Sequence, residues 1–315
     1  MIQDATGLNS TPLELFVVIV LYKIKPDESP SLRTLQAAIA HLTQGRAKIK
    51  VLLYDNTPGG QQVDIPMGIE YVADVENGGL AKAYNYAITL ACKGRYNWLL
   101  TLDQDTKLPY DFLEKLFRTA SFVYPIKNIG AIVPSVTGND RIISPCFHRK
   151  YCPRTLHLSD GFIGISLEST WAINSASAFR VSALRTIGGY DQRFPLWHSD
   201  IVAYHRLESA GFRVFVAGNI QVEHDLSVFD LKNKSTPARY EDMLYAEGAY
   251  CDEYLGIAGC IVLLMKIYWR LGYRLWTMGP TVIHFKIILK FLCKRLLCSR
   301  RHRVRAWKQS CERFN

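Results

Sequence analysis

Two carboxylates separated by one residue, Asp103-Gln104-Asp105, follow directly on the apolar run Trp98–Leu102. A buried strand ending in such a pair delivers both acids to a loop at the rim of a sheet. Hard divalent cations such as Mg²⁺ or Mn²⁺ take oxygen ligands and commonly join one or two carboxylates to the phosphates of a substrate. The plainer alternative is that Asp103 caps the strand end and Asp105 the turn after it. A second acid, Asp55 in Tyr54-Asp-Asn-Thr57, also ends an apolar run. There a carboxylate accepts hydrogen bonds from a nucleoside or closes an Asx turn. In Glu76-Asn-Gly-Gly-Leu-Ala-Lys-Ala-Tyr-Asn85 the glycines precede a helix with a small-residue first turn. Backbone N–H groups, or a close-lying ligand, can then approach that helix end. Neither G-x-G-x-x-G nor G-x-x-x-x-G-K-[ST] is present, so this is neither a dinucleotide fingerprint nor a P-loop. Asp200 follows the aromatic-rich Phe194-Pro-Leu-Trp-His198, where an N-cap is the default role for an acid. His224 ends a short apolar stretch, and a single histidine, like His198 and His205, is more often packed than ligating.

The elements that must carry these residues alternate. Leu15-Phe-Val-Val-Ile-Val-Leu-Tyr22 is continuously apolar and β-rich, the pattern of a strand buried on both faces of a parallel sheet. Pro30 and Ser31 open a helix to about His41. Val51–Asp55 is a strand, Asn56–Gly60 a loop, Ile69–Ala73 a short strand, and a helix follows to about Cys92. Trp98–Asp103 is the third long strand, Phe112–Tyr124 a helix and Ile129–Pro134 a strand. This alternation predicts an α/β fold with a mostly parallel central sheet flanked by helices. Ligands of such sheets bind beyond the carboxyl ends of the strands, where Asp55 and Asp103 both fall. Beyond Pro134 the pattern loosens into Gly/Ser-rich segments, a helix over Asp200–Ala210, and short strands at Val214–Ala217 and Ile220–His224. The expected organisation is a polar leader (1–12), a main domain (13–236) and a basic helical extension (237–315). Within the main domain the regular half is 13–135 and the looser half 136–236.

With 315 residues, 49% of them hydrophobic and 21% charged, the chain can bury a large core, which excludes wholesale disorder. No repeat period marks a fibre or solenoid. Residues 255–315 carry 13 Lys and Arg against one acid, Glu312, leaving the rest at −2. Such a basic, apolar tail suits an anionic surface. Its apolar runs are too short or too interrupted to span a bilayer: Ile257–Met265, and Leu275–Cys293 with Gly279-Pro280, His284, Lys286 and Lys290 inside it. Two readings stand: an interfacial helix on lipid, or a cap on the main domain with a solvated basic face. Nucleic acid is set aside, because Arg300-Arg-His-Arg303 and Trp307 lie beside apolar helices and form no reading motif. The eight scattered cysteines and the lack of an export signal imply reduced thiols and a cytoplasmic protein.

Taken in order, these pieces resemble the family-2 inverting glycosyltransferases of GT-A fold, in particular a rhamnosyltransferase-like branch. The pieces are Val17–Tyr22, Tyr54–Thr57, Asn77–Asn85, Leu102–Thr106, Ser175–Phe179 with Gly188-Gly-Tyr-Asp191, Asp200 to Arg206, and Val222-Glu-His224. The resemblance implies transfer of a sugar, with rhamnose from dTDP-rhamnose or a UDP-hexose as donor. It implies a glycan or lipid-linked glycan acceptor in bacterial surface polysaccharide synthesis, with the protein peripheral on the inner face of the cell membrane. By the same resemblance 13–135 is the nucleotide-binding half and 136–236 the acceptor-binding half, and Tyr22, Asp55, Asn77, Gly79, Lys82, Asn85, Asp103 and Gln104 bind the nucleotide-sugar. Asp105 and His224 hold an Mg²⁺ or Mn²⁺ ion, Asp200 is the catalytic base, and Trp197, His198 and Asp191 meet the acceptor. Ser199 and Val202 stand where the family often has further acids, which makes Asp191 the reserve base.

Overall fold

The computed structural model describes residues 13–42, 47–138, 141–148, 156–159, 161–224, 236–277 and 282–311. The leader at 1–12 lies outside the described residues. The first half runs β1 (Leu13–Leu21), α1 (Pro30–His41), β2 (Ala47–Asp55), β3 (Ile69–Ala73), α2 (Gly79–Lys93), β4 (Trp98–Asp103), β5 (Thr106–Lys107), α3 (Phe112–Val123) and β6 (Ile129–Gly138). Short strands follow: β7 (Arg141–Ser144), β8 (Cys146–His148), β9 (Leu156–His157), β10 (Ile163–Ile165) and β11 (Ser169–Trp171). Then come β12 (Ser177–Arg180), α4 (Val181–Thr186), α5 (Ser199–Ser209) and β13 (Arg213–His224). The chain ends in α6 (Pro237–Tyr250), one π-helical turn (Cys251–Leu255), α7 (Gly256–Thr277), α8 (Val282–Leu297) and α9 (Arg300–Cys311).

Alternate residues of β1 enter two different cores. Leu15, Val17, Ile19 and Leu21 meet Leu32 and Leu35 of α1 and Leu113 and Leu116 of α3. Phe16, Val18 and Val20 meet Ala83, Tyr84 and Ala87 of α2 and Ala203, Tyr204 and Leu207 of α5. This two-sided burial is why the run is apolar at every position. The main sheet follows the path β10-β13-β6-β12-β4-β1-β2-β3, with β5 on β13 and β7 on β6. β4, β1, β2 and β3 are parallel, as are β6 and β13, while β12 and β10 run against their neighbours. The register sets Leu21 opposite Asp55, Val20 opposite Asp103 and Asp55 opposite Ala73, so the carboxyl ends of four strands form one rim.

The expected alternation matches these elements closely as far as β6. Two strands were expected between Val214 and His224. The chain instead keeps one strand, β13, which slips its register on β6 between Ala217 and Gln221, as a bulged strand can without leaving the sheet. The helical extension has its own core of Tyr240, Leu244, Leu263, Ile267, Ile287, Ile288 and Phe291. Inside it Asp252, 2% exposed, accepts from Arg295 at 2.9 Å and Arg303 at 2.8 Å. Part of the basic charge is thus turned inward, clasping α8 and α9 to the π turn. Tyr250, Tyr254 and Trp307 pack on Phe194 and Val202 of the main domain, so the extension does cap that domain.

Candidate active site

The acids after β4 are held by neighbours on both sides. Ser29 caps α1 by accepting from the Leu32 N–H, which brings the next residues of that helix to the rim. The fully buried Ser31 hydroxyl accepts from the Thr106 N–H at 2.8 Å and donates to the Asp103 carbonyl. The Asp103 N–H donates to Ser175 Oγ at 3.2 Å, and the buried Tyr84 phenol donates to Asp103 Oδ1 at 3.3 Å. The two-residue strand β5 then pairs with the end of β13, setting Thr106 opposite His224. That pairing stands the His224 imidazole, 4% exposed, between the acids. Nε2 lies 3.4 Å from Asp103 Oδ2, and Nδ1 lies 3.4 Å from Asp105 Oδ1.

Two carboxylates and an imidazole are donors of the type a divalent cation takes. Each ring nitrogen faces a different carboxylate, and among the described residues no three His, Cys, Asp or Glu side chains meet on one point. The protein alone therefore offers an open, incomplete shell. The types fit a cation shared with a substrate's oxygens better than an all-protein cage.

Along the rim, the Gln104 side chain accepts from the Tyr22 N–H at 2.7 Å, tying the acid loop to the end of β1. Asp55 is fully buried; it accepts from the Thr57 N–H at 2.9 Å, closing the Asx turn, and from the Tyr71 phenol at 2.7 Å. A third strand-end acid, Asp74, escaped the sequence reading although it follows β3 directly. It accepts from the Tyr54 phenol at 3.0 Å, the Gly78 N–H at 3.1 Å and Lys82 Nζ at 3.0 Å. These donors outweigh its burial and hold its pKa below the usual carboxylate range. Asn77 and Gly79 both adopt positive φ, 55° and 85°.

The start of α2 corrects one expectation. What lies close to the glycines is the Pro195 carbonyl, which accepts from the Leu80 N–H at 2.6 Å and the Ala81 N–H at 3.3 Å. A Cβ on Gly79 would stand 2.5 Å from that oxygen. These two N–H groups therefore anchor the loop before α5 instead of waiting for a phosphate. Asn85 is likewise committed within the fold. Its amide donates to the Tyr190 carbonyl at 2.9 Å and accepts from the Tyr190 N–H at 2.8 Å, so it joins α2 to the Gly188–Tyr190 turn.

Asp200 is not the N-cap of α5. His198 holds that place with φ +64°, and Asp200 lies in the first turn, accepting from the Ile201 N–H at 2.8 Å. Burial, assisted by the nearby Asp103 carboxylate, pushes its pKa up to about 6. A helix N-terminus favours the anion, and here burial wins. Tyr84 and Tyr190, with ring centroids 4.9 Å apart, are buried between the fields of both acids. Asp191, the reserve base, is bound by Arg193 at 2.6 Å and by the Tyr254 phenol at 2.6 Å. Those partners hold its pKa low, so it is a poor proton acceptor. Arg206 donates to the Gly189 and Ile187 carbonyls and thereby braces the end of α4. Trp197 lies under the Arg239 guanidinium of α6 at 5.8 Å, and the His198 ring is 5.9 Å from that of Tyr250.

No protein-family profile matches this sequence, and no curated protein matches it. Among solved structures, GalNAc-T7 with UDP, GalNAc and Mn²⁺ superposes with a TM-score of 0.52 at 14% identity, over 78% of this chain and 49% of that one. TarS from S. aureus matches at a TM-score of 0.50 and 11% identity, over 84% of this chain and 44% of TarS. Its fragment 1–349 gives a TM-score of 0.52 at 12% identity, over 95% and 90%. This chain thus spans about half the length of the two longer structures. The likeness is one of architecture: the protein has the GT-A glycosyltransferase fold.

Proposed function

We propose that this protein transfers a sugar from a nucleotide-sugar donor to a hydroxyl of a glycan or lipid-linked glycan, inverting the anomeric centre. The observation that carries this reading is two unlike carboxyl environments close enough for one acid to feel the other's charge. Asp103 and Asp105 face His224 in an open, polar setting, while Asp200 is raised to about 6 by burial. Carboxyl groups whose surroundings set them apart divide roles between binding and proton transfer.

In this reading the nucleoside end falls to Tyr22, Asp55, Asn77 and Gln104, with Gly79, Lys82 and Asn85 shaping the wall through the contacts described. Asp105 and His224 would hold an Mg²⁺ or Mn²⁺ ion beside Asp103. When bound there, a cation supplies positive charge against the departing diphosphate. Asp200 accepts the proton of the acceptor hydroxyl. The hydroxyl oxygen forms its bond to the anomeric carbon from one face as the carbon–phosphate oxygen bond breaks on the other. The electron pair of that bond leaves with the nucleoside diphosphate. Trp197, His198 and Asp191 lie on the acceptor side, Asp191 as a fixed, ionised support. dTDP-rhamnose is the first donor to test and UDP-hexoses the alternative, with surface polysaccharide of the O-antigen or capsule type as the product class.

A thermal-shift screen of dTDP-, UDP- and GDP-sugars with and without Mn²⁺ tests the site, because a ligand that binds only the native state raises the melting temperature. One nucleotide should give a metal-dependent rise that Asp105→Ala abolishes. No rise with any donor, or full transfer activity in Asp200→Asn, overturns the proposal. Binding without turnover over a broad acceptor panel would indicate a relative that binds the sugar nucleotide without transferring it.

A further inference from the structure

We infer that the exposed face of α7 seats this protein on a bilayer of anionic phospholipid, with the helix lying along the surface and not across it. This inference is independent of the transferase reading. Ile257, Ile261, Leu264, Met265, Tyr268 and Trp269 are all exposed, from 40% for Met265 to 80% for Tyr268. Their spacing gathers them on one side of the helix within an arc of roughly 140° at 100° per residue. The opposite side buries Leu263 and Ile267 in the core of the extension. A solvated cap would carry charge on its outer face. Between Ile257 and Trp269 this one carries aliphatic groups followed by a Tyr-Trp pair, side chains whose apolar rings and polar tips suit the headgroup boundary.

Charge selects lipid over a second copy of the chain. From Gly256 to Arg305 there is no Asp or Glu, whereas Lys286, Arg301 and Arg305 are exposed. The extension as a whole, 237–315, holds 14 Lys and Arg against six acids and would bring +8 against +8 in a self-contact, whereas anionic headgroups complement that charge. α8 repeats the arrangement, with Phe285, Leu289 and Leu296 exposed at helical spacing and Lys286 beside them.

The stretch Pro237–Trp269 is long and apolar enough to cross a bilayer by composition, but its contacts oppose crossing. Asp252, within the stretch, is buried against Arg295 and Arg303, and Lys266 reaches Glu247 at 3.6 Å. Crossing would strip Asp252 of its partners and carry it, with the Lys266–Glu247 pair, into hydrocarbon. A helix with one face in the protein core and one exposed apolar face is suited to the interface.

The test is co-flotation of the full chain with vesicles of phosphatidylcholine alone or with about one-third phosphatidylglycerol. The protein should float with the anionic vesicles, more weakly at high salt, and should be released by alkaline carbonate. Ile261→Glu with Tyr268→Glu, both at exposed positions, should lower binding at least about tenfold with an unchanged melting temperature. Chains brominated near the headgroup should quench Trp269, and Trp269→Phe should bind while losing that quenching. Equal binding by the Glu variant, no binding to anionic vesicles, or resistance to carbonate overturns the inference. So does a wild-type dimer in sedimentation velocity that ignores vesicles and that the Glu variant dissociates.

Discussion

Replacing Asp200 with Asn should make the protein more stable and less active together. Burial raises this carboxyl from 3.8 to about 6, a shift of about 2 units, or about 3 kcal/mol at 1.36 kcal/mol per unit. The sign follows from proton linkage. A folded-state pKa above the unfolded value means that the native state binds the proton more tightly. Stability therefore falls as pH rises from about 4 through 6, and the full penalty of the anion is present above about 7. Asn carries no charge to desolvate, but it weakens the bond that Asp200 accepts from the Ile201 N–H by about 1 kcal/mol. The net gain is about 1–2 kcal/mol above pH 7, a rise of about 2–5 °C in melting temperature. Below pH 4 the wild-type carboxyl is protonated and the two proteins should melt together. Thermal melts of both at pH 4 and pH 8 measure this without knowledge of the substrate. Transfer by the variant should drop about 10²–10⁴-fold, and the wild-type rate should fall on the acid side with an apparent pKa near 6. A variant that melts lower at pH 8, or whose difference is the same at both pH values, would refute the argument that burial sets this carboxyl.

Three further outcomes follow from the contacts around the rim. Gly79→Ala should cost about 2–4 kcal/mol, because the residue is left-handed and its Cβ would meet the Pro195 oxygen at 2.5 Å; urea melts with an unchanged slope check this. Tyr84→Phe removes one hydrogen bond to Asp103. It should weaken donor binding by about five- to tenfold in calorimetric titration and leave the pH profile in place. Asp252→Ala leaves Arg295 and Arg303 buried without their partner and should destabilise by about 3–5 kcal/mol. Hydrogen exchange should show the loss concentrated in α8 and α9.

The strand-end acids were legible because each closes an apolar run whose two-sided burial is written locally, as in Val51–Asp55 and Trp98–Asp103. Their supports were not legible. Tyr84 reaches Asp103 across 19 residues, Ser31 reaches Thr106 across 75, and Pro195 caps a helix that starts at Gly79. Nothing in the local pattern around Gly79 distinguishes a neighbouring carbonyl from a bound phosphate, since both need the same small residue and the same bare N–H groups. Asn85 misled for a similar reason: an amide suits a sugar hydroxyl and a peptide group equally. Asp74 had a readable signal, its place one residue beyond β3, but that strand is only partly buried and lacks the long apolar run that marks the other two. β12 is four residues of Ser-Ala-Phe-Arg, too short to carry a period.

That short strand bears on how the chain reaches its native state. Among the described residues β6 reaches β4 and the parallel strands beyond it only through β12, which lies between β4 and β6. During synthesis, β1 to β4 emerge with the edge of β4 unpaired, and that edge stays open until residues beyond Ser177 are made. β6 can meanwhile pair only with the short β7 that follows it, at its carboxyl end. The nascent first half is therefore an open-edged intermediate and not a finished unit, the kind of species that invites strand-to-strand aggregation. Closure of the sheet, and with it the seating of Asp103 against Ser175, is a late event set by contacts of high sequence separation.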